Sequence, residues 1–161
     1  MHTYDLLCCK FYIELRFLAQ KVEIYNPQAD AKKEIAVAVS KALKEGTHVF
    51  LQIGGNWCPW CVKFHQFIEA NAEIKSYLEE NFEVVKVNYD PNNKNEEVLA
   101  ELGFPQRFGF PVFVVLDGNG NRIHTQNSAF LEKDKSYDTA RVQNFFKNWS
   151  ATAVNPNSYK K

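Results

Sequence analysis

The chain has 161 residues, 45% of them hydrophobic and 13 of them Phe, enough for one domain with a substantial core. Lysine plus arginine equals aspartate plus glutamate at 19 each, so the net charge is zero and nothing points to a nucleic-acid or anionic-membrane partner. No apolar run is long enough to span a bilayer.

Residues 1–20 stand apart. Leu6-Leu7-Cys8-Cys9 and Phe17-Leu18-Ala19 are apolar, but Lys10, Glu14 and Arg16 interrupt them, whereas a secretory signal has an uninterrupted apolar centre. The segment reads as a degraded signal, an amphipathic helix (Leu7, Phe11, Leu15 and Leu18 share a face) or a cloning artefact. Residues 21–154 form the expected domain, and 155–161 an expected flexible tail rich in Asn, Ser and Lys.

Val22-Glu23-Ile24-Tyr25 alternates like a short strand, and Asn26-Pro27 turns the chain. Asp30 is placed to cap a helix with an apolar stripe of Ile35, Val39, Ala42 and Leu43, ended by Gly46. A strand through Ile53 follows, then the loop Gly54-Gly55-Asn56. A helix from Pro59 to about Ala70 carries Phe64, Phe67 and Ile68. A second helix after Asn71 carries Ile74, Tyr77 and Leu78. Phe82–Tyr89 reads as a strand. Asn93 with Glu96 predicts a capping box for a helix bearing Val98, Leu99 and Leu102. Pro111 opens an apolar strand to Leu116, and Asp117-Gly118-Asn119-Gly120 joins it to Arg122–Thr125 as a hairpin. Gln126 to Ser136 is a polar connection expected at the surface. A last helix carries Val142, Phe145, Phe146 and Trp149. The order predicts a parallel strand pair with a right-handed crossover, an antiparallel hairpin, and a mixed sheet with helices on both faces.

The chemistry lies in Trp57-Cys58-Pro59-Trp60-Cys61. Strand, short turn, then C-x-x-C opening a helix is the geometry of a redox dithiol. The helix N-terminus favours an anion, and the thiolate is the reactive form of cysteine. A zinc site is the competing reading, but it takes four ligands, commonly as two spaced pairs. Cys8 and Cys9 are adjacent, and His2, His48, His65 and His124 are scattered.

Together the W-C-x-x-C motif and Gly109-Phe110-Pro111, followed by an apolar strand and a glycine-containing hairpin, resemble the thioredoxin-like superfamily over roughly residues 29–150. Within it, the chain is most similar to exported thioredoxin-like proteins related to the C-terminal domain of DsbD and to disulfide isomerases. The resemblance implies an α/β thioredoxin fold, a three-layer α/β/α with a mixed central sheet. It implies Cys58 as attacking thiol, Cys61 as resolving thiol and Pro111 as a cis-proline facing the disulfide. Trp57, Trp60, Phe110 and Pro111 would line the groove for a partner's cysteine. It further implies a protein-disulfide reductase or isomerase with no cofactor beyond the Cys58–Cys61 disulfide. Protein disulfides and a redox partner protein would be its partners. We expect a monomer and an exported or periplasmic setting, with the cytoplasm as the alternative.

There is one departure. Ordinary thioredoxins keep a buried acid six residues before the first cysteine; here that position is Gln52, while Lys86 matches the lysine that pairs with the acid. Lys86 then either favours the thiolate or reaches solvent, and His65 reads as a surface residue. Pro59 and Trp60 offer the sulfur no charge, which predicts a reducing or intermediate centre rather than a strong oxidant. Trp57 is expected to shield the thiols and Trp60 to be exposed. The competing class is a non-enzymatic thioredoxin-like binding or chaperone module. An enzyme calls for an accessible Cys58 and a shielded Cys61; a buried, closed disulfide favours the module.

Overall fold

The computed structural model describes residues 22–161, so the expectations for residues 1–20, with Cys8 and Cys9, lie outside the described residues. Helix α1 (Ala31–Glu45) begins at Asp30, whose carboxylate accepts from Lys33 N (3.1 Å), and ends at Gly46 in the left-handed conformation (φ 71°). Strand β1 (His48–Gly54) leads into helices α2 (Pro59–Ala70) and α3 (Ala72–Asn81). Strand β2 (Phe82–Asn88), helix α4 (Glu96–Glu101) and a 3₁₀ turn (Pro105–Phe108) precede β3 (Val112–Leu116) and β4 (Arg122–Asn127). A second 3₁₀ turn (Ser128–Leu131), the ribbon β5 (Glu132–Lys133) and β6 (Ser136–Tyr137), then α5 (Thr139–Asn148) and α6 (Ala151–Val154) complete the order.

The sheet order is β2-β1-β3-β4, with β1 parallel to β2 and antiparallel to β3. Both inner strands, β1 and β3, are buried along their whole length, which is why they read as continuous apolar runs. One face of the sheet (Leu51, Ile53, Val112, Val114) packs on Ala38 and Ala42 of α1 and on Val98 and Leu99 of α4. The other is aromatic: Phe50, Phe113 and Phe82 meet Phe64 of α2 and Phe145 and Phe146 of α5. This is the expected three-layer arrangement with a mixed sheet.

Several local expectations change. Among the described residues, 22–25 pair with no strand; they form a strap held by side chains. Helix α1 buries Ala31, Ala38 and Ala42 rather than Leu43, which is 62% exposed. The alanines let the helix sit close to the sheet, and Leu43 lies one residue round from that stripe. Asn93 does not cap α4; Asn95 precedes it in the left-handed region (φ 49°), and the Asn93 amide donates to Pro27 O instead. The polar connection from Gln126 to Ser136 is not simply surface loop, because Ser128 is buried and Leu131 enters the aromatic core. The terminal residues, expected to be flexible, include a 3₁₀ turn (Pro156–Tyr159), with Tyr159 Oη donating to Ala153 O (2.7 Å).

Phe50 is 1% exposed and meets five aromatic rings at 5.1 to 6.5 Å. Phe50→Ala is expected to cost about 3–5 kcal/mol, read as a lower urea midpoint, while a surface change such as Leu43→Ala stays within about 0.5 kcal/mol.

Candidate active site

The site is built where β1 hands over to α2. Cys58 is the N-cap of α2 in extended conformation, and its Sγ accepts from the Cys61 backbone N–H (3.2 Å). Pro59 takes the first helical position, where a missing N–H costs little. Cys58 and Cys61 are joined as a disulfide with Cα atoms 5.2 Å apart. The sulfur cap replaces the oxygen that Ser, Asp or Asn would supply, and places the outer sulfur on the positive end of the helix dipole.

Two glycines make the approach possible. A Cβ on Gly54 would collide with Cys61 Sγ and stand 3.0 Å from the Tyr25 hydroxyl. A Cβ on Gly55 would strike the Trp57 indole and the Tyr89 carbonyl, which are joined by a 2.6 Å hydrogen bond from Trp57 Nε1.

The disulfide is covered. Cys58 is 3% exposed and Cys61 fully buried, in a cluster with Tyr25 against which Ile24, Trp60 and Phe110 pack. This corrects the expectation of an accessible Cys58. The strap contributes Tyr25 and Ile24 to this cover and is held by Asn56, whose Oδ1 accepts from Ile24 N (2.8 Å) and Tyr25 N (2.9 Å) and whose Nδ2 donates to Tyr25 O (2.8 Å). Further along, Asn93 Nδ2 donates to Pro27 O (2.9 Å).

The tryptophans exchange their expected places. Trp57 is 50% exposed, edge-on to Phe110 (5.5 Å). Trp60 is half-buried, edge-on to Tyr137 (5.5 Å), with Lys63 Nζ 4.3 Å from its ring centre. Phe110 also lies 4.7 Å from Tyr89, so Trp57, Phe110 and Tyr89 make one aromatic wall. The Phe110–Pro111 peptide is cis, and Pro111 is buried.

Behind the site, Gln52 faces Lys86 across the parallel β1–β2 pair, and its amide donates a long bond to Cys61 O (3.4 Å). Lys86 is half-buried, and among the described residues its ammonium donates to His65 Nδ1 (3.2 Å) rather than to a sulfur. Gln52, His65 and Lys86 line a cavity of about 310 Å³ with Phe50 and Phe64. Burial lowers the Lys86 pKa. Burial first, then the Lys86 charge, hold His65 below the ordinary histidine range. Sequence reasoning missed Tyr25, Asn56 and Tyr89 as parts of the site. Asn56, next to the motif in a glycine loop, carried the only usable signal.

A four-stranded mixed sheet between helix layers, with a C-x-x-C disulfide capping the helix after the central strand, defines the thioredoxin class. The chain belongs to the thioredoxin-like family, whose profile matches residues 30–118. It is 28% identical over 97 residues to the disulfide bond reductase DsbH of Chlamydia pneumoniae, an alignment covering 52% of this chain and 57% of that protein. The chain thus spans little more than half the length of that relative. Among solved structures, a disulphide isomerase from Xylella fastidiosa Temecula1 superposes with a TM-score of 0.70 at 24% identity, over 79% of this chain and 96% of that one. The C-terminal domain of DsbD from Neisseria meningitidis gives 0.52 at 18% identity, over 73% and 95%. Among the described residues, no group of three His, Cys, Asp or Glu is placed to hold a metal, and no helix is long and apolar enough to cross a membrane.

Asn56→Ala removes three hydrogen bonds from the strap and is expected to cost about 1–3 kcal/mol. It should also speed alkylation of Cys58 in the reduced protein; an unchanged rate would mean the strap does not control access. A lowered His65 pKa makes the unfolded chain bind a proton the folded chain refuses, so stability should fall as pH drops below about 6.5. His65→Gln should flatten that decline between pH 7 and 5 in urea titrations.

Proposed function

We propose that this protein is a thiol–disulfide oxidoreductase that reduces or isomerises disulfides in other proteins. The observation that carries the reading is the Cys58 sulfur capping α2 and accepting the Cys61 N–H. A sulfur in that position leaves readily as a thiolate and attacks readily as one. The reduced protein's Cys58 thiolate attacks a partner disulfide, giving a mixed disulfide and releasing one partner thiolate. Cys61 then attacks Cys58 Sγ, the Cys58–partner bond breaks, and the partner leaves carrying both electrons. The Cys58–Cys61 disulfide that remains is reduced again by a dithiol redox partner protein. No other cofactor enters.

Exposed Trp57, half-buried Phe110 and the cis Pro111 that follows it are the proposed docking residues for the partner's cysteine. Trp60 supports the site from within, against Tyr137. Pro59 starts the helix without a donor to sulfur. Lys86 and Gln52 act at second hand, behind Cys61. The name of the Chlamydia relative, a disulfide bond reductase, supports the reducing direction. The potential is expected to be more reducing than the roughly −120 mV of the strongest oxidants. The reading includes a monomer in an exported, periplasmic setting, where protein disulfides form.

The second reading is a binding or chaperone module with a structural disulfide, favoured by the 3% exposure of Cys58. An insulin-reduction assay separates the two. Wild type should turn over; Cys58→Ser should lose activity and trapping; Cys61→Ser should lose turnover but accumulate mixed disulfide. Equal rates in all three would reject the oxidoreductase and leave the module.

A further inference from the structure

The hydroxyl of Tyr25 is buried, with the residue 3% exposed, and among the described residues it has no hydrogen-bond partner. The Gln52 amide lies close enough to the phenol oxygen to act on it as a donor, which leaves the hydroxyl's own proton without an acceptor. An unpaired buried hydroxyl destabilises the state that contains it. Yet this one is held deliberately: three hydrogen bonds from Asn56 fix the Ile24–Tyr25 backbone, and Gly54 leaves its side empty so that the phenol and Cys61 Sγ flank the same point.

We infer that the Tyr25 hydroxyl donates a hydrogen bond to the Cys61 sulfur once the disulfide opens, and so favours the thiolate of the resolving cysteine. This rests on the oxidoreductase reading above. The disulfide sulfur is a weak acceptor, so the hydroxyl goes unpaired in the oxidised protein; a thiolate is a strong one. Burial raises the phenol's pKa well above the usual tyrosine range, so it keeps its proton and acts as donor, not base. It stands in for the buried acid that Gln52 replaces, by a different route: it stabilises the anion rather than removing the proton.

The charged and titratable groups around Cys61 leave this role open. Cys58 caps the same helix. His65, also on α2, and Lys86 on β2 are engaged with each other beyond Gln52, and Tyr137 on β6 donates to Trp60 O (3.2 Å). In the resolving step the Cys61 proton goes to solvent and the thiolate attacks Cys58 Sγ. The Cys58–partner bond breaks, and the departing partner thiolate takes a proton from water. Tyr25 retains its own proton throughout.

Tyr25→Phe keeps the ring and removes only the oxygen. In a Cys58→Ser background, thiolate absorbance should titrate Cys61 with about tenfold less thiolate at a given pH when Tyr25 is Phe. Thermal unfolding should split by redox state: oxidised Tyr25→Phe matches or exceeds wild type, while the reduced form melts lower than reduced wild type. An unchanged Cys61 titration, or equal losses in both redox states, would overturn the inference and leave Tyr25 as packing. Insulin reduction by the wild type is scored separately. An inert wild type with a shifted Cys61 titration would sink the oxidoreductase reading while leaving the hydrogen bond standing.

Discussion

One contact organises this molecule: the Cys58 sulfur standing at the N-cap of α2 and accepting the Cys61 amide. Helix starts normally take an oxygen there. Using sulfur makes helix capping and redox chemistry the same interaction. A thiolate is a better acceptor than a disulfide sulfur, so reduction strengthens the cap rather than leaving the first turn open. The dipole adds in the same direction. Pro59 contributes by starting the helix one residue later with its φ already set.

That sulfur is placed by β1, and β1 is rigid because it is central. Val49, Leu51 and Ile53 are fully buried, and Phe50 anchors the opposite, aromatic face. The strand delivers Gly54 and Gly55 to the site with no side chains of their own. The first lets Cys61 and Tyr25 crowd together; the second lets Trp57 reach the Tyr89 carbonyl. Strand, glycine pair and capped helix therefore behave as one unit, and the strap and the Phe110–Pro111 segment close over it from either side.

How much of this could be read from residues alone follows from the range of each interaction. The C-x-x-C pair, its helix and the apolar inner strands depend on neighbours within a turn or two, and were legible. The strap was not. Val22–Tyr25 alternates as a strand does, but what holds it is Asn56, more than thirty residues away, through side-chain hydrogen bonds that leave no period in the sequence. The same holds for Tyr137, just after the polar connection, which nothing in the sequence ties to Trp60 and Phe64. Adjacency to a cysteine does not say which way a tryptophan ring turns; the Tyr89 carbonyl holds Trp57 and the Tyr137 ring takes Trp60. Lys86 inherited an expectation from a partner acid absent here, and it turned to His65 instead.

The burial of Cys58 tests the functional reading hardest, and its energetics favour an opening site over a permanently closed one. The cover over the sulfurs is not a paired strand or a packed helix. Beside Trp60 and Phe110 it includes a short strap held by the Asn56 amide, with hydrogen bonds each worth about 0.5–1.5 kcal/mol net. Lifting it costs a few such bonds and the burial of Tyr25, a local event well below global unfolding. Exposure in the resting disulfide is thus a poor measure of reactivity here. The governing quantity is the free-energy cost of lifting the strap, which is held by side-chain hydrogen bonds rather than by strand pairing.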